Sequence, residues 1–396
     1  MLKISRRQAL AGLGTLGAAS AFAFPAPVVR AQSAPIKVGL MLPYSGTYAA
    51  LGEAITNGIT MRIEEAGSKW GGRPVTFVKV DDESAPPKAT ALASRLIDSE
   101  KVDFLVGTVH SGVAMGMAKI AREAGTITVI PNAGADAITR QFCAPNLFRS
   151  SFSNWQPPHP MGKVLLERGL KRVAVCYWDY GAGQESTQGF RDGFEPHGGE
   201  IVGEFKVPFP TVEFQAVLTQ IAALEPDAVF VFFAGGGAVK FVLDYAAAGL
   251  KDKIPLVSSG FLTEGTTEAQ GAAAEGLMTT LHYADGLTNA QDKPFRAAYL
   301  KAFGKDADVY AVQGYDAGTL LAIGLEAVKG DAAARGDMIA AMEKADFASP
   351  RGPFRLSPSH NPVQNFYLRQ VMNGKNQMVG VAMEMLSDPG TGCSMG

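Results

Sequence analysis

The sequence predicts an α/β protein built as two doubly wound Rossmann-like lobes, on three observations. Short apolar runs alternate with longer segments of helical period from Ile36 onward, the alternation falls into two separate sets, and the chain then turns mainly helical before closing in short strands. Parallel strands joined by crossover helices produce that alternation.

In the first set the strands are expected at 37–42, 75–80, 104–106 and 126–130, with helices at 49–66, 88–98 and 113–124, each ending near a glycine, serine or charged turn. The second set begins after Phe148-Arg149-Ser150. Its strands are expected at 172–177, 201–205, 228–233 and 255–258, and its helices at 161–168, 186–194, 214–224 and 239–248. Helices follow at 293–303, 309–329 and 338–344; Tyr315, Leu320, Ile323 and Val328 give the middle one a core-facing stripe. Strands at 354–356, 366–372 and 378–383 close the chain, and Asn373-Gly374 reads as a tight hairpin turn. Two such sheets in one chain imply a ligand cleft between them.

Residues 1–31 carry an export signal. Lys3, Arg6 and Arg7 precede the apolar run 9–24, and Val29-Arg30-Ala31 offers a small-residue cleavage site. Ser5-Arg6-Arg7-Gln8-Ala9-Leu10 resembles the twin-arginine motif of a pathway that carries folded proteins. Pro25 and Pro27 end the run too early for a membrane helix, which needs about 20 apolar residues.

Removing residues 1–31 takes away four basic side chains (Lys3, Arg6, Arg7, Arg30) and no acidic one, leaving 32 basic against 38 acidic residues, a net charge of −6. A mildly acidic chain without basic clusters argues against a nucleic-acid partner. Three cysteines leave at least one thiol unpaired. Cys176, inside the run Val173-Ala174-Val175-Cys176-Tyr177, reads as a buried small hydrophobe. Cys143 and Cys393 then stand either as a bond or as two thiols.

Ligand groups meet such sheets at strand carboxyl ends and at the amino ends of the following helices. Three first-lobe loops there are small, polar and glycine-bearing: Pro43-Tyr44-Ser45-Gly46, the loop 107–112 and the loop 131–135. Ser111 is placed to cap the helix that follows it, to bind a ligand carboxylate, or to do both.

The order and spacing of these motifs resemble the periplasmic solute-binding proteins of branched-chain amino-acid ABC transporters, the leucine/isoleucine/valine-binding type. The marks are Ile36-Lys37-Val38-Gly39-Leu40 with Pro43-Tyr44-Ser45-Gly46, Gly52, Asn57-Gly58, Asp81-Asp82-Glu83-Ser84-Ala85-Pro86, Val106-Gly107 before Ser111, and Ile130-Pro131-Asn132-Ala133. Further along, Tyr180-Gly181, Pro226-Asp227-Ala228-Val229 and Gly314-Tyr315-Asp316-Ala317 also match. The resemblance covers nearly all of residues 36–385 and implies the type I periplasmic binding fold, two lobes joined by a three-crossover hinge. The expected lobes are 36–152 with 284–352 and 153–283 with 353–385, followed by a tail, 386–396.

The resemblance implies a periplasmic, monomeric receptor without cofactor or metal, which closes on a small carboxylate and presents it to an inner-membrane ABC permease. Closure follows if ligand contacts to both lobes exist only in the closed state. The residues implied at the ligand are Tyr44, Val109, His110, Ser111, Asn132, Ala133, Gly134, Tyr180, Gly236, Gly260 and Phe261. Ser111 and backbone around Ala133 would hold the carboxylate, and His110 is a further donor. Arg149 either reaches the ligand or supports the hinge.

The chain departs from the family where an α-ammonium would be neutralised. The first-lobe hydroxyl position falls at about Gly134, and the second-lobe acidic position falls within Ser259-Gly260-Phe261, which holds no carboxylate; Glu264 is three or more residues further on. A buried ammonium without a counter-charge costs several kcal/mol, on the order given for unpaired buried ions. A carboxylate lacking an ammonium is therefore expected. Tyr44, Phe152, Trp155, Tyr177, Trp178, Tyr180 and Phe261 lie in or beside predicted cleft loops, where aromatic side chains sandwich flat rings or simply pack the core. The pattern is similar to the branch of the family that takes up aromatic acids of benzoate or phenylpropanoid type. The competing expectations are a branched-chain or other aliphatic amino acid, and a sensory receptor serving a signalling partner.

Other signals carry less. Gly12-Leu13-Gly14-Thr15-Leu16-Gly17 matches a nucleotide fingerprint but follows no strand, and Gly235-Gly236-Gly237 lacks the Lys-Ser/Thr of a phosphate loop. In the resemblance that triplet faces the cleft and leaves room for a bulky ligand. No nucleophile elbow and no H-E-x-x-H occurs, so no enzyme activity is expected. Asp81-Asp82-Glu83 reads as a turn more readily than as a cation site.

Overall fold

A computed structural model describes residues 34–395. The export signal expected over residues 1–31, with its glycine pattern, lies outside them.

The first sheet has the order β2-β3-β1-β4-β5-β6. Its strands are β1 (Ile36–Leu42), β2 (Lys69–Trp70), β3 (Arg73–Asp81), β4 (Phe104–Gly107), β5 (Thr128–Ile130) and β6 (Leu147–Arg149). All neighbours run parallel except β2 against β3. Three helices connect them: α1 (Ala49–Glu65), α2 (Ala89–Ser94, continued by a π turn to Ser99) and α3 (Ser111–Ala124). Strand β4 is buried at every residue, as a parallel strand covered on both faces must be.

The second sheet has the order β12-β13-β11-β10-β9-β7-β8, with β14 added on β13. Helix α4 (His159–Glu167) leads into β7 (Arg172–Trp178), α5 (Gly181–Phe194), β8 (Glu200–Val207), α6 (Gln215–Leu224), β9 (Ala228–Phe232), α7 (Gly235–Ala247), β10 (Leu256–Ser259), the short α8 (Thr267–Gln270) and β11 (Met278–Leu281). The chain then crosses to α9 (Asp292–Phe303), α10 (Val309–Ala327) and α11 (Arg335–Glu343), and returns as β12 (Phe354–Leu356), β13 (Pro362–Met372) and β14 (Lys375–Leu386). The β13–β14 turn is Asn373-Gly374, both residues at positive φ, 53° and 71°.

Helix α10 packs on α1 at close range. A Cβ at Gly58 would lie 2.0 Å from the Ala311 carbonyl oxygen, and one at Gly314 would lie 2.1 Å from that of Ile55. Glycine on both sides brings the backbones together and fixes α10 beneath the first sheet.

Three connections cross between the sheets: after β6, after β11 and before β12. Two are held by buried arginines. Arg149 donates to the carbonyls of Gly134, Ala135 and Phe152 at 2.6–2.8 Å. Arg351 pairs with Asp316 on α10 and donates to the Ser150 carbonyl and to Gln364 Oε1. The segment after β14 returns to the first lobe through Arg140–Asp388 at 2.8 Å and a Cys143–Cys393 disulfide; Cys176 is a free, buried thiol.

The structure differs from the sequence expectations at several elements. Strands β6 and β11 were not expected. The first has only three residues, and the second, Met-Thr-Thr-Leu, hides its polarity by donating Thr280 Oγ1 to the Pro157 carbonyl at 2.6 Å. The glycine-rich starts of α5 and α7 lie further toward the N-terminus than helical periodicity indicated. The acidic run is a structured turn: Asp81 accepts from the Tyr44 and Glu83 amides, Asp82 from Ser84 N–H and the Thr108 hydroxyl, and Glu83 pairs with Lys88. Among the described residues no cluster of His, Cys, Asp and Glu is set to hold a metal ion, and no helix is long and apolar enough to cross a membrane.

Candidate functional site

In each sheet the connections reverse direction once, between β1 and β4 and between β7 and β9. Loops leaving the strands at such points diverge and open a crevice. The two crevices face each other and enclose a small cavity of about 30 Å³.

The first lobe supplies Tyr48 and Leu51 after β1, Val109 and Ser111 after β4, Asn132 and Gly134 after β5, and Tyr310 from the first turn of α10. The second supplies Tyr180 and Ala182 after β7, Phe232 and Ala234 at the end of β9, and Phe261 after β10. Phe152 and Asn154 come from the first crossover. No lining side chain among the described residues carries a formal charge. The walls are aromatic, with Phe152 and Phe261 centroids 4.8 Å apart, and the Tyr48 and Tyr180 hydroxyls bridge the lobes at 3.0 Å. Burial pushes both phenols up, so they stay neutral hydrogen-bonding groups near neutral pH.

One end of the cavity is built to donate. Asn154 Nδ2 donates to Ser111 Oγ at 3.0 Å and to Glu185 Oε2 at 2.7 Å, which leaves the Ser111 hydroxyl proton free. Ser111 opens α3, so its hydroxyl sits in the positive field of that helix start. Asn132 is held by Gln313 at 2.8 Å, and Gln313 in turn by the buried His282 at 3.1 Å. This arrangement accepts an anionic oxygen without any cation in the wall.

Six of the sequence-predicted residues reach the cavity: Val109, Ser111, Asn132, Gly134, Tyr180 and Phe261. The others serve nearby. Tyr44 turns away, its hydroxyl 2.9 Å from Thr56 Oγ1, and Tyr48, four residues on, takes the lining position. His110, not Ser111, caps α3: its Nδ1 accepts from Gly112 N–H at 3.0 Å and its ring stacks on Tyr180 at 4.6 Å. Burial lowers its pKa to about 4, so it is a neutral buttress. The Ala133 amide is taken by the Thr108 carbonyl at 2.9 Å.

Gly236 is exposed, and its neighbour Gly237 makes room for the Trp178 ring rather than for a ligand, since a Cβ there would lie 2.1 Å from that ring. Gly260 packs against Arg369, which donates to its carbonyl at 2.9 Å. Arg149 directs both Nη groups to carbonyls at the hinge. Of the other aromatics, Trp155 bonds Asp192, Tyr177 bonds Glu204, and Trp178 donates to the Thr211 carbonyl, all outside the cavity.

The departures from the amino-acid-binding pattern have a structural account. A Cβ at Gly134 would lie 2.3 Å from Asn154 Oδ1, so Asn154 occupies the space a hydroxyl side chain would need. A Cβ at Gly260 would lie 2.5 Å from Arg369 Nη2, so no acid fits there. Glu264 is committed elsewhere, to Arg369 and to Val309 N–H. Asn154, Tyr48, Phe232 and Tyr310 were not foreseen. Phe232 and Tyr310 stand at a strand end and a helix start, the positions from which such sheets contact ligands, and that placement was the available signal.

Residues 35–376 match the model of a family described as periplasmic binding protein. A Leu/Ile/Val-binding protein homolog 6 of Brucella melitensis is 33% identical over 345 residues, 85% of this chain and 87% of that one. Among solved structures, a solute-binding protein of an ABC transporter from R. palustris, in complex with benzoate, is 54% identical with a TM-score of 0.89, covering 91% of this chain and 100% of that one. A second, from Rhodopseudomonas palustris BisB5 in complex with 3,4-dihydroxybenzoic acid, is 32% identical with a TM-score of 0.85, covering 90% and 99%.

Proposed function

Because this chain belongs to the periplasmic binding protein family and serves as the solute-binding protein of an ABC transporter, we propose that its ligand is an aromatic carboxylate of the benzoate class. The observation that carries this reading is the aromatic-walled cavity with a donor end at Ser111 and, among the described residues, no acidic side chain in its lining to meet an ammonium. The carboxylate is received by the Ser111 hydroxyl at the start of α3, and the ring enters among Phe152, Phe232 and Phe261 as these walls part, since the cavity of about 30 Å³ is smaller than an aromatic ring. The 54% identical relative was solved with benzoate, which supports the same choice.

In this reading the lobes are 36–152 with 284–352 and 153–283 with 353–385. The protein works in the periplasm as a monomer, and the closed form is handed to an inner-membrane permease. A ligand touching Ser111 and Phe261 together bridges the lobes only when they are closed, so binding shifts the hinge equilibrium. Leu/Ile/Val-binding relatives make an aliphatic amino acid the competing ligand. Thermal shift with benzoates, cinnamates, dicarboxylates and amino acids separates the two. A rise in melting temperature with benzoates alone is expected, and a rise with leucine or valine and none with any aromatic acid would overturn the proposal.

A further inference from the structure

Ten buried side-chain polar atoms have no hydrogen-bond partner among the described residues, and the Tyr310 hydroxyl is the one among them that belongs to a residue lining the cavity. Its ring packs 6.4 Å from Phe261, on the aromatic wall. The acceptors around it are already engaged. Glu264 takes Arg369 and the Val309 amide, and Asp308 caps α10 by accepting from the Ala311 amide at 2.9 Å. The Tyr48 and Tyr180 hydroxyls satisfy each other. A buried hydroxyl in this condition, in a cavity wall, has hydrogen-bonding capacity that a bound molecule can take up.

The same neighbours decide what that molecule brings. Among the described residues the one cation near Tyr310, Arg369, is paired with Glu264, so the donor left for a ligand carboxylate is the Ser111 hydroxyl at the start of α3. A neutral hydroxyl both donates and accepts, as the phenol does.

We propose that Tyr310 is a specificity-determining residue, whose hydroxyl hydrogen-bonds a ring hydroxyl of the ligand, and that the preferred ligand is accordingly a hydroxybenzoate rather than benzoate itself. This rests on the aromatic-carboxylate reading above. It assigns the two ends of the cavity different duties: Ser111 reads the acid and Tyr310 reads the substituent.

The test is calorimetric titration of the intact protein and of Tyr310→Phe with benzoate, 3-hydroxybenzoate, 4-hydroxybenzoate and the two corresponding methylbenzoates. For the wild type, at least one hydroxybenzoate should bind about tenfold or more tighter than both benzoate and its methyl counterpart, since a methyl group fills the space without the hydrogen bond. In Tyr310→Phe that advantage should disappear, hydroxybenzoate losing about fivefold or more in affinity relative to benzoate. Benzoate binding the wild type as tightly as every hydroxybenzoate would overturn the assignment, and the methyl comparison decides this even if the variant fails to fold. Equal weakening of benzoate and hydroxybenzoate in Tyr310→Phe would also overturn it, because the hydroxyl would then serve the carboxylate or the packing. No binding of any aromatic acid would overturn the ligand class itself, a result distinct from binding without hydroxyl preference.

Discussion

The hinge and the cleft treat polarity in opposite ways. At the hinge, Arg149 and Arg351 are at most 1% exposed, and each guanidinium donates to carbonyls, a carboxylate or an amide oxygen. In the cleft no lining side chain among the described residues is charged, and the hydroxyls of Ser111 and Tyr310 retain unused hydrogen-bonding capacity. A buried ion pair fixes geometry because breaking it strands a charge, whereas a neutral site with spare donors leaves the charge for the ligand to bring. The crossovers are therefore rigidly anchored while the cavity between the lobes is receptive.

The largest expected effect follows from breaking the hinge side of that contrast. Arg351→Met strands Asp316, which is 0% exposed and also bonded by Ser349, and the loss of stability should be about 3–5 kcal/mol in chemical denaturation. Double replacement with Asp316→Leu should recover part of it, since apolar pairs often substitute for buried ion pairs. A loss below about 1 kcal/mol in the single variant would mean that Arg351 does not organise the crossovers.

On the cleft side, Ser111→Ala should weaken carboxylate binding by about 1–3 kcal/mol through loss of the free hydroxyl proton, and lower stability by only about 1 kcal/mol through loss of the oxygen that accepts from Asn154 Nδ2. Unchanged affinity would take Ser111 out of the site. Gly134→Ser sharpens the same comparison. It restores a first-lobe hydroxyl but pushes into Asn154, so it should weaken aromatic-acid binding about tenfold by displacing the donor to Ser111, without creating affinity for leucine. A gain of leucine binding would show that the missing acid within Ser259-Gly260-Phe261 is not the obstacle.

The same contrast governs what was legible in the sequence. Strands buried on both faces, such as β4 and β9, announce themselves as continuous apolar runs, and both lobes were visible through them. Hidden were the first turns of α5 and α7, where glycines occupy positions that periodicity does not mark, and the three-residue β6. Site residues on named strand-end loops, Ser111 and Asn132 among them, were found because loop position and polarity coincide. Asn154 was not, because it reaches the cavity only through the crossover path of the chain, which no local pattern encodes; Tyr310 sits at a helix start, but that helix reaches the cleft only by a crossover. His110 and Tyr44 have cleft chemistry but face other partners, and only side-chain geometry separates them from their neighbours Ser111 and Tyr48.

The last effect tests a place where charge lies close behind the Ser111 end of the cleft. The Asp136 amide in the first lobe donates to Glu185 on α5 at 3.1 Å, and Glu185 also holds Asn154. Burial, then the Glu185 charge, pushes Asp136 up to about 8, and burial raises Glu185 as well. An acid that holds its proton more tightly when folded favours the folded chain at low pH. That contribution is fully present below the unfolded value of 3.8 and is lost as pH rises through about 8. Arg140, 3.2 Å from Asp136, opposes burial and limits that rise. His110, lowered to about 4 by burial, and the buried His282 contribute with the opposite sign, so the informative quantity is the difference between proteins. Asp136→Asn should gain stability relative to wild type as pH is raised from 5 to 8 in denaturant titrations. A difference that stays constant across that range would show that Asp136 does not titrate there, and the charge behind the cleft would then be as settled as the charge at the hinge.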